Sequence, residues 1–213
     1  MDDGVSRPVR FFMDDARGRP PGRPRSFDAD CALDQALRLF WAKGYEGASL
    51  SELTAAMGIN RPSLYAAFGD KENLFRRALQ RYAEGPASFA KEALAERTAR
   101  AVVERLLTDG AAALTDPAWP AGCLAVHGAL ACGRGADPIR AELMGMRAAN
   151  EAALRDRFER ARLEGDLPAD TDPAGLARYI ATLFQGMAVQ AAGGATRAQL
   201  EEVAAIALRA WPT

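Results

Sequence analysis

Two short helix signals on either side of one glycine limit the fold of this chain more than any other feature of its sequence. Ser49 and Glu52 have the spacing of a capping box, which predicts that a helix starts between them. Gly58 predicts the end of that helix, and Asn60 predicts the N-cap of a second one. Helices this short bury too little apolar surface to be stable alone, so they must pack on a further helix.

The further helix is predicted directly before this pair. Asp28 is its expected N-cap, Gly44 is its expected end, and the apolar residues between them recur on one helical face. These apolar residues are Leu33, Ala36, Leu37, Phe40 and Trp41. Two short helices joined by a glycine turn and supported by a third helix form a helix-turn-helix. In this motif the second short helix is held where its first turn can enter the major groove of DNA.

Three segments with fixed spacing resemble a known family. They are ALRLFWAKGY from Ala36 to Tyr45, followed by Ser49 and Leu53; MGIN from Met57 to Asn60; and LYAAFGDKENL from Leu64 to Leu74. Residues 28–79, which contain these segments, resemble the DNA-binding domain of the tetracycline-repressor (TetR) family. The resemblance implies a regulator whose rear domain binds a small inducer, and whose two reading heads move apart when the inducer binds.

The residues expected to contact DNA lie on the first turn of the second short helix and around it. An arginine there can pair with a guanine, a proline can pack on a thymine methyl group, and a tyrosine hydroxyl can reach a phosphate. The predicted contacts are Ser49, Asn60, Arg61, Pro62, Ser63, Tyr65 and Lys71, and the resemblance implies the same assignments. The alternatives are a core position for Tyr65 and a solvated surface position for Arg61.

A basic stretch precedes the first predicted helix. Residues 16–25 (ARGRPPGRPR) carry four arginines and no acidic residue, and their prolines and glycines exclude a helix. We expect residues 1–25 to be a flexible basic arm. Arg19 and Arg23, each within a Gly-Arg-Pro triplet, are expected to enter an A·T-rich minor groove. The alternative is a solvated leader without a role.

The composition predicts an all-α protein. Alanine is the commonest residue, and there are only 4 Ile and 7 Val, so helix formers exceed strand formers. After a helix-turn-helix head at residues 26–86, we expect a larger helical domain for ligand binding and dimerisation at residues 87–213, with about nine helices in the whole chain. The helices expected in the rear domain span residues 87–115, 118–132, 137–164, 173–192 and 196–211.

The apolar helix predicted at residues 118–132 carries two thiols and an imidazole. An apolar cavity with a few polar groups is what a small lipophilic inducer needs. The candidates for ligand binding are Trp119, Cys123, His127, Met144, Met146, Asn150, Phe158, Phe184 and Gln185. The alternative for each of them is an ordinary core position.

Stripes of small and apolar residues follow the last two predicted helices, which would let them pack closely against a twofold-related copy. The resemblance implies that these two helices form a homodimer, and the alternative is packing inside the subunit. The candidates for the dimer interface are Ile180, Phe184, Met187, Val203, Ala207 and Trp211.

Several classes of protein are excluded by what the sequence lacks. It has no phosphate loop, dinucleotide fingerprint, catalytic carboxylate pair or nucleophile elbow, so we expect no enzyme and no cofactor. Three cysteines and one histidine are too few for a metal site or a disulfide framework. No apolar run is long enough for a membrane span or a signal peptide, so we expect a cytoplasmic protein without a membrane partner.

Three other functions stay open beside a repressor that an inducer releases from a pseudo-palindromic operator. The first is an activator or a nucleoid-type protein, in which the rear domain is structural. The second is a small-molecule-binding protein whose DNA-binding head is vestigial. The third is a sensor of oxidants or electrophiles that uses the thiol of Cys123.

Overall fold

The computed structural model describes residues 27–130 and 137–212. Within these two ranges the chain forms ten α-helices and no β-strand, which confirms the predicted all-α class. The head contains α1 (Ala29–Gly47), α2 (Leu50–Met57), α3 (Arg61–Phe68) and α4 (Lys71–Glu84). The rear domain contains α5 (Ser88–Ala93), α6 (Ala99–Leu114), α7 (Leu124–Leu130), α8 (Asp137–Leu163), α9 (Pro173–Ala192) and α10 (Arg197–Arg209).

The four helices of the head share one core. The apolar face predicted for α1 is buried, and α1 packs against α2 and α4. The ring of Phe40 meets the ring of Phe75 edge-on, with 5.0 Å between their centres. Leu53 of α2 and Leu64 of α3 are fully buried in the same core. Each such side chain contributes roughly 1.5–3 kcal/mol by burial, so the core fixes both short helices on α1 and α4.

The first helix follows the sequence prediction closely. The side chain of Asp28 accepts hydrogen bonds from the backbone N–H groups of Asp30 and Cys31, so it is the N-cap. Gly44 has φ 72° and ends the regular part of α1 where its sequence predicts, while an irregular turn continues to Gly47. A residue with a side chain would be strained at this positive φ.

The prediction of one continuous helix over residues 87–115 is wrong, because this segment forms two helices, α5 and α6. Thr98 caps α6 by accepting from the backbone N–H of Ala101 at 3.2 Å. The carboxylate of Asp166 accepts from the backbone N–H of Ala99. The guanidinium of Arg157 donates to the backbone carbonyls of Glu96 and Arg97, each at 3.0 Å. The cap by Thr98 is local, but the contacts of Asp166 and Arg157 come from residues far along the chain, and periodicity could not reveal them.

The helix predicted at residues 118–132 also starts later than expected. Residues 115–123 form a loop, and α7 begins only at Leu124. Gly122 has φ 91° and donates its backbone N–H to the carbonyl of Leu114 at 2.9 Å. A Cβ at Gly122 would lie 2.3 Å from Cε1 of His127, so only glycine fits this turn.

The helices of the rear domain pack around α6, α8 and α9. Helix α8 lies along α9, while α6 contacts α5, α9 and α10. The sequence predicts about nine helices, and the break between α5 and α6 accounts for the tenth within the described residues. Of the helices in residues 27–130 and 137–212, none is both long and apolar enough to span a membrane.

Candidate nucleic-acid interface and ligand cavity

The start of α2 is fixed by the complete capping box that the sequence predicts. Ser49 Oγ accepts from the backbone N–H of Glu52 at 3.2 Å, and the Glu52 carboxylate accepts from the backbone N–H of Ser49 at 3.0 Å. Lys43 forms an ion pair with the same carboxylate. The hydrogen bond from Lys43, followed by those from Ser49, lowers the pKa of Glu52 from 4.5 to about 2.

The hydroxyl of Ser49 is exposed, but its proton is already in use. It donates to the Glu52 carboxylate at 2.7 Å. A phosphate oxygen accepts hydrogen bonds and does not donate them. Ser49 must therefore turn its O–H away from Glu52 before it can make the contact with DNA that the sequence predicts.

Helix α3 is capped at its first turn and anchored by the opposite face. Asn60 Oδ1 accepts from the backbone N–H of Ser63 at 2.8 Å, and Pro62 lies in the first turn, as predicted. Leu64 and Phe68 are buried. Because the apolar side faces the core, the first turn of α3 faces solvent, which is the orientation that a recognition helix requires.

Two predicted contact residues on α3 differ in how they are held. Tyr65 is 49% exposed, so it does not occupy the core position that the sequence left open. Arg61 is exposed, and its Nη2 donates to Ser51 Oγ of α2 at 2.9 Å. The contact with Ser51 was not predicted, because the two side chains meet only through the packing of α2 against α3.

Lys71 lies at the first position of α4, beside the same surface. Its Nζ is 4.5 Å from the centre of the Tyr45 ring, which is a cation–π distance. Partial burial lowers the pKa of Lys71, and the nearby charge of Glu46 opposes this shift. Arg19 and Arg23 of the predicted arm lie outside the described residues.

A cavity of about 80 Å³ lies between α6, α7, α8 and α9, and it gathers four of the nine predicted ligand residues. These four are Cys123, Asn150, Phe184 and Gln185. A second cavity of about 270 Å³ adjoins it, with Ala90, Leu106, Asn150 and Leu154 lining both. The apolar walls and few polar groups are typical of a site for a small organic molecule.

The later start of α7 takes two predicted ligand residues away from this cavity. Trp119 lies in the loop before α7, and its ring stacks on Trp41 of the head with 5.8 Å between centres. His127 packs against Gly122, and burial lowers its pKa. Neither side chain lines the 80 Å³ cavity.

Three further candidates on α8 also lie elsewhere. Met144 is 49% exposed, and Met146 packs against the core from a partly buried position. Phe158 is fully buried, and its ring meets the ring of Trp211 at 5.8 Å. The cavity-lining residues of α8 that were not predicted are Arg147, Glu151 and Leu154. Their i, i+4, i+7 spacing marks one helical face, but the sequence does not say what that face meets.

Tyr82 of the head contacts a residue of the cavity wall. Tyr82 of α4 donates its hydroxyl to Cys123 Sγ at 3.1 Å, and Cys123 lines the cavity. Burial, followed by the nearby Cys123, raises the pKa of Tyr82 well above its usual value. Helix α4 packs on α1 and α3, so Tyr82 links the cavity wall to the elements that carry the predicted DNA contacts.

Four of the predicted interface residues are buried inside the subunit. Ile180, Ala207 and Trp211 are each less than a tenth exposed and face the subunit's own core, and Met187 is equally buried but lines the groove between α9 and α10. Phe184 is partly buried and lines the 80 Å³ cavity. The periodicity of α9 and α10 correctly predicts their most apolar stripes. These stripes pack into the core of the same subunit.

The outward faces of α9 and α10 carry a different apolar set. A groove of about 320 Å³ runs between these helices, lined by Leu183 and Val203 among others. Val203 is the one predicted interface residue that remains partly open on this face. Tyr179, 48% exposed, also lines the groove, and Ile206 of α10 is 58% exposed. No cluster of three or more metal-ligating side chains occurs within the described part of the chain.

Two family models match most of the chain. The model of bacterial regulatory proteins of the tetR family matches residues 32–78, and the model of the tetracyclin repressor-like C-terminal domain matches residues 99–207. The first range contains α2, α3 and most of α1, and the second contains the cavity walls from α6 to α9. The two matches therefore fall on the head and on the rear domain.

Several known proteins are similar over nearly the whole chain. The HTH-type transcriptional repressor ComR of Escherichia coli (strain K12) is 36% identical over 196 residues, which are 90% of this chain and 92% of the relative. A structure of the TetR family transcriptional regulator CifR, a cysteine mutant complexed with 26-bp operator DNA, is 44% identical with a TM-score of 0.86 and covers 90% of this chain and 100% of that chain. A putative TetR transcriptional regulator from Rhodococcus sp. RHA1 is 41% identical with a TM-score of 0.61, over 87% of this chain and 99% of that chain.

Proposed function

Because this chain belongs to the tetR family of bacterial regulatory proteins, we propose that it is a homodimeric repressor that a small inducer releases from a pseudo-palindromic operator. The family consists of DNA-binding regulators, which confirms the prediction that the chain is a regulator and not an enzyme. ComR is named a repressor, and CifR is described in complex with operator DNA. The proposal extends these two properties to this chain.

The observation that carries the proposal is the exposed first turn of α3. Asn60, Arg61 and Pro62 are exposed there, and Tyr65 follows one turn later. In the proposed complex Arg61 leaves Ser51 and pairs with a guanine edge, while Tyr65 reaches a phosphate. The energetic cost of leaving Ser51 is small, because one exposed hydrogen bond contributes about 1 kcal/mol or less.

Homodimerisation is supported by the apolar outward face of α9 and α10. One recognition helix reads only a half-site, so a pseudo-palindromic operator needs two heads related by a twofold axis. The groove between α9 and α10 and the exposed side chains of Tyr179 and Ile206 give this face the apolar character of an interface core.

Inducer release is supported by the contact between the cavity and the head. A ligand in the cavity that moves Cys123 changes its hydrogen bond to Tyr82, and thus the position of α4. Such a ligand shifts the population between a DNA-binding and a released arrangement only if it binds the two with different affinity. A repressor that acts on chromosomal DNA works in the cytoplasm, which is the location that the sequence predicts.

Selection of genomic fragments by the purified full-length protein at near-physiological salt tests the proposal. We expect one palindromic site beside a promoter, with half-sites about one helical turn apart. The salt must be stated, because phosphate contacts make affinity steeply salt-dependent. Broad A·T-rich enrichment without a palindrome would contradict the proposal and support the nucleoid-type alternative, in which the basic arm dominates.

The environment of Cys123 gives less support to the thiol-sensor alternative. The side chain is 5% exposed, and its hydrogen-bond donor is the neutral phenol of Tyr82. A reactive thiol needs a stabilised thiolate and access to solvent. We therefore propose that Cys123 acts as part of the cavity wall.

A further inference from the structure

The 80 Å³ cavity contains a cationic side chain with an unused hydrogen-bond donor. Arg147 of α8 lines the cavity, and its Nε is buried without a hydrogen-bond partner. Arg147 forms no ion pair with the described residues. Buried polar groups in proteins are nearly always hydrogen-bonded, so this N–H is a donor that gains an acceptor if the side chain turns towards the cavity.

The charges around the cavity favour an anionic acceptor. Glu151, one turn after Arg147, also lines the cavity, but its Oε1 lies 3.2 Å from Nε of Arg178. Its charge is thus paired with an exposed arginine of α9. Lys91 lines the adjoining cavity and adds a second positive charge near the site. A carboxylate suits an arginine especially well, because its two oxygens can accept from Nε and a terminal nitrogen together.

The volumes of the two cavities limit the size of the ligand and of its apolar part. The inner cavity of about 80 Å³ is roughly half the size of the ~150 Å³ cavity that admits benzene, so it holds a carboxylate and little more. The adjoining cavity of about 270 Å³ provides room for an apolar chain. Leu106 and Leu154 line both spaces and would contact the chain where it passes from one to the other.

We propose that the paired cavities bind a small monocarboxylate with a short aliphatic chain, whose carboxylate is held by Arg147. This inference rests on the proposed ligand-responsive function, because it names the class of the inducer. The guanidinium of Arg147 turns towards the cavity to donate to the carboxylate, which gives the buried Nε–H an acceptor, and the chain displaces solvent from the apolar walls. Cys123 lines the inner cavity, so the carboxylate end lies next to the residue that contacts Tyr82 of the head.

Isothermal titration calorimetry on the full-length, DNA-free protein tests the ligand class with sodium hexanoate, hexanamide and sodium acetate. We expect hexanoate to bind about ten- to hundredfold more tightly than hexanamide, which is the range for a charge-assisted hydrogen bond. Acetate fills only the inner cavity and should bind more weakly than hexanoate. Equal affinity for hexanoate and hexanamide, or no binding of hexanoate, would overturn the inference.

Substitutions on α8 add a matched comparison. Arg147→Gln should reduce the ratio of hexanoate to hexanamide affinity towards one, because the amide keeps a donor but loses the charge. Arg160→Gln removes an exposed arginine of α8 that pairs with Glu164, the residue after the end of the helix, and it should keep the wild-type ratio. A wild-type ratio in Arg147→Gln would contradict the role of this side chain. The ratio in the unmodified protein still tests the ligand class if Arg147→Gln does not fold.

A separate measurement distinguishes the ligand class from the repressor function. Fluorescence anisotropy with the operator recovered by genomic selection reports whether hexanoate releases the DNA. Hexanoate binding without release would contradict the proposed inducer response and still support the carboxylate site. Release by other compounds, with no hexanoate binding, would overturn the carboxylate site and leave the repressor function intact.

Discussion

The guanidinium carbon of Arg38 lies 4.3 Å from the centre of the Trp119 ring, so α1 of the head is held directly by the loop that leads into α7. Arg38 also donates to the backbone carbonyl of Ala118. The Trp119 ring also stacks on Trp41. The loop shares its last residue, Cys123, with the cavity wall. The head and the ligand cavity therefore contact the same short segment.

A double-mutant cycle measures this contact. Arg38→Met and Trp119→Leu should each lower the free energy of unfolding measured in urea. The loss in the double variant should be smaller than the sum of the two single losses by about 0.5–1 kcal/mol, which is the strength of a cation–π pair at a partly exposed site. Combining Arg38→Met with Trp211→Leu provides the control, since Trp211 packs on Phe158 in the rear domain. Additive effects in the first cycle would contradict a direct contact between Arg38 and Trp119.

Arg61→Ala should weaken operator binding by about 1–3 kcal/mol, because it removes a predicted pairing with a guanine edge. Fluorescence anisotropy at fixed salt measures the change. Ser51→Ala removes the residue that holds Arg61 in the free protein, and it should leave affinity within about a factor of a few. Unchanged operator affinity in Arg61→Ala would refute the assignment.

Ile206→Glu should shift the protein from dimer to monomer in sedimentation velocity. The side chain is 58% exposed on α10, and a buried carboxylate in an apolar interface would be unpaired. Leu163→Glu provides the control, because Leu163 is 73% exposed at the end of α8, outside the groove between α9 and α10. If both variants remained dimeric, a different surface would form the interface.

Acid unfolding should depend on Glu52. Its pKa is about 2 in the folded protein and 4.5 as the ordinary value, so the unfolded chain binds more protons between these two values. The stabilisation from Glu52 is therefore present above pH 4.5 and is lost as the pH falls towards 2. Glu52→Gln should flatten the pH dependence of urea unfolding in this window.

The matched control for this window is Glu202→Gln on α10. Glu202 is exposed and forms no ion pair with the described residues. We expect this variant to keep the wild-type slope of stability against pH. An unchanged slope in Glu52→Gln would mean that neither Lys43 nor Ser49 stabilises the Glu52 carboxylate in solution.

The head could be derived from the sequence almost completely, because its signals are local. Capping by Asp28, Ser49 and Asn60 depends on residues two or three positions apart, and all three caps are present where the sequence predicts them. The stops at Gly44 and Gly58 depend on the positive φ that glycine adopts without strain. Such preferences act within one turn of the chain, so one sequence is enough to reveal them.

The rear domain could be predicted as helical, but only the tertiary structure decided which faces meet. The break before Ala99 depends on Asp166, and the late start of α7 depends on the fit of Gly122 against His127. The buried stripe of α9 and the open face beside it follow from how α8 and α10 pack, and so does the place of Arg147 in the cavity. Periodicity states that a helix has an apolar face, but the partner of that face is set by residues distant in the chain.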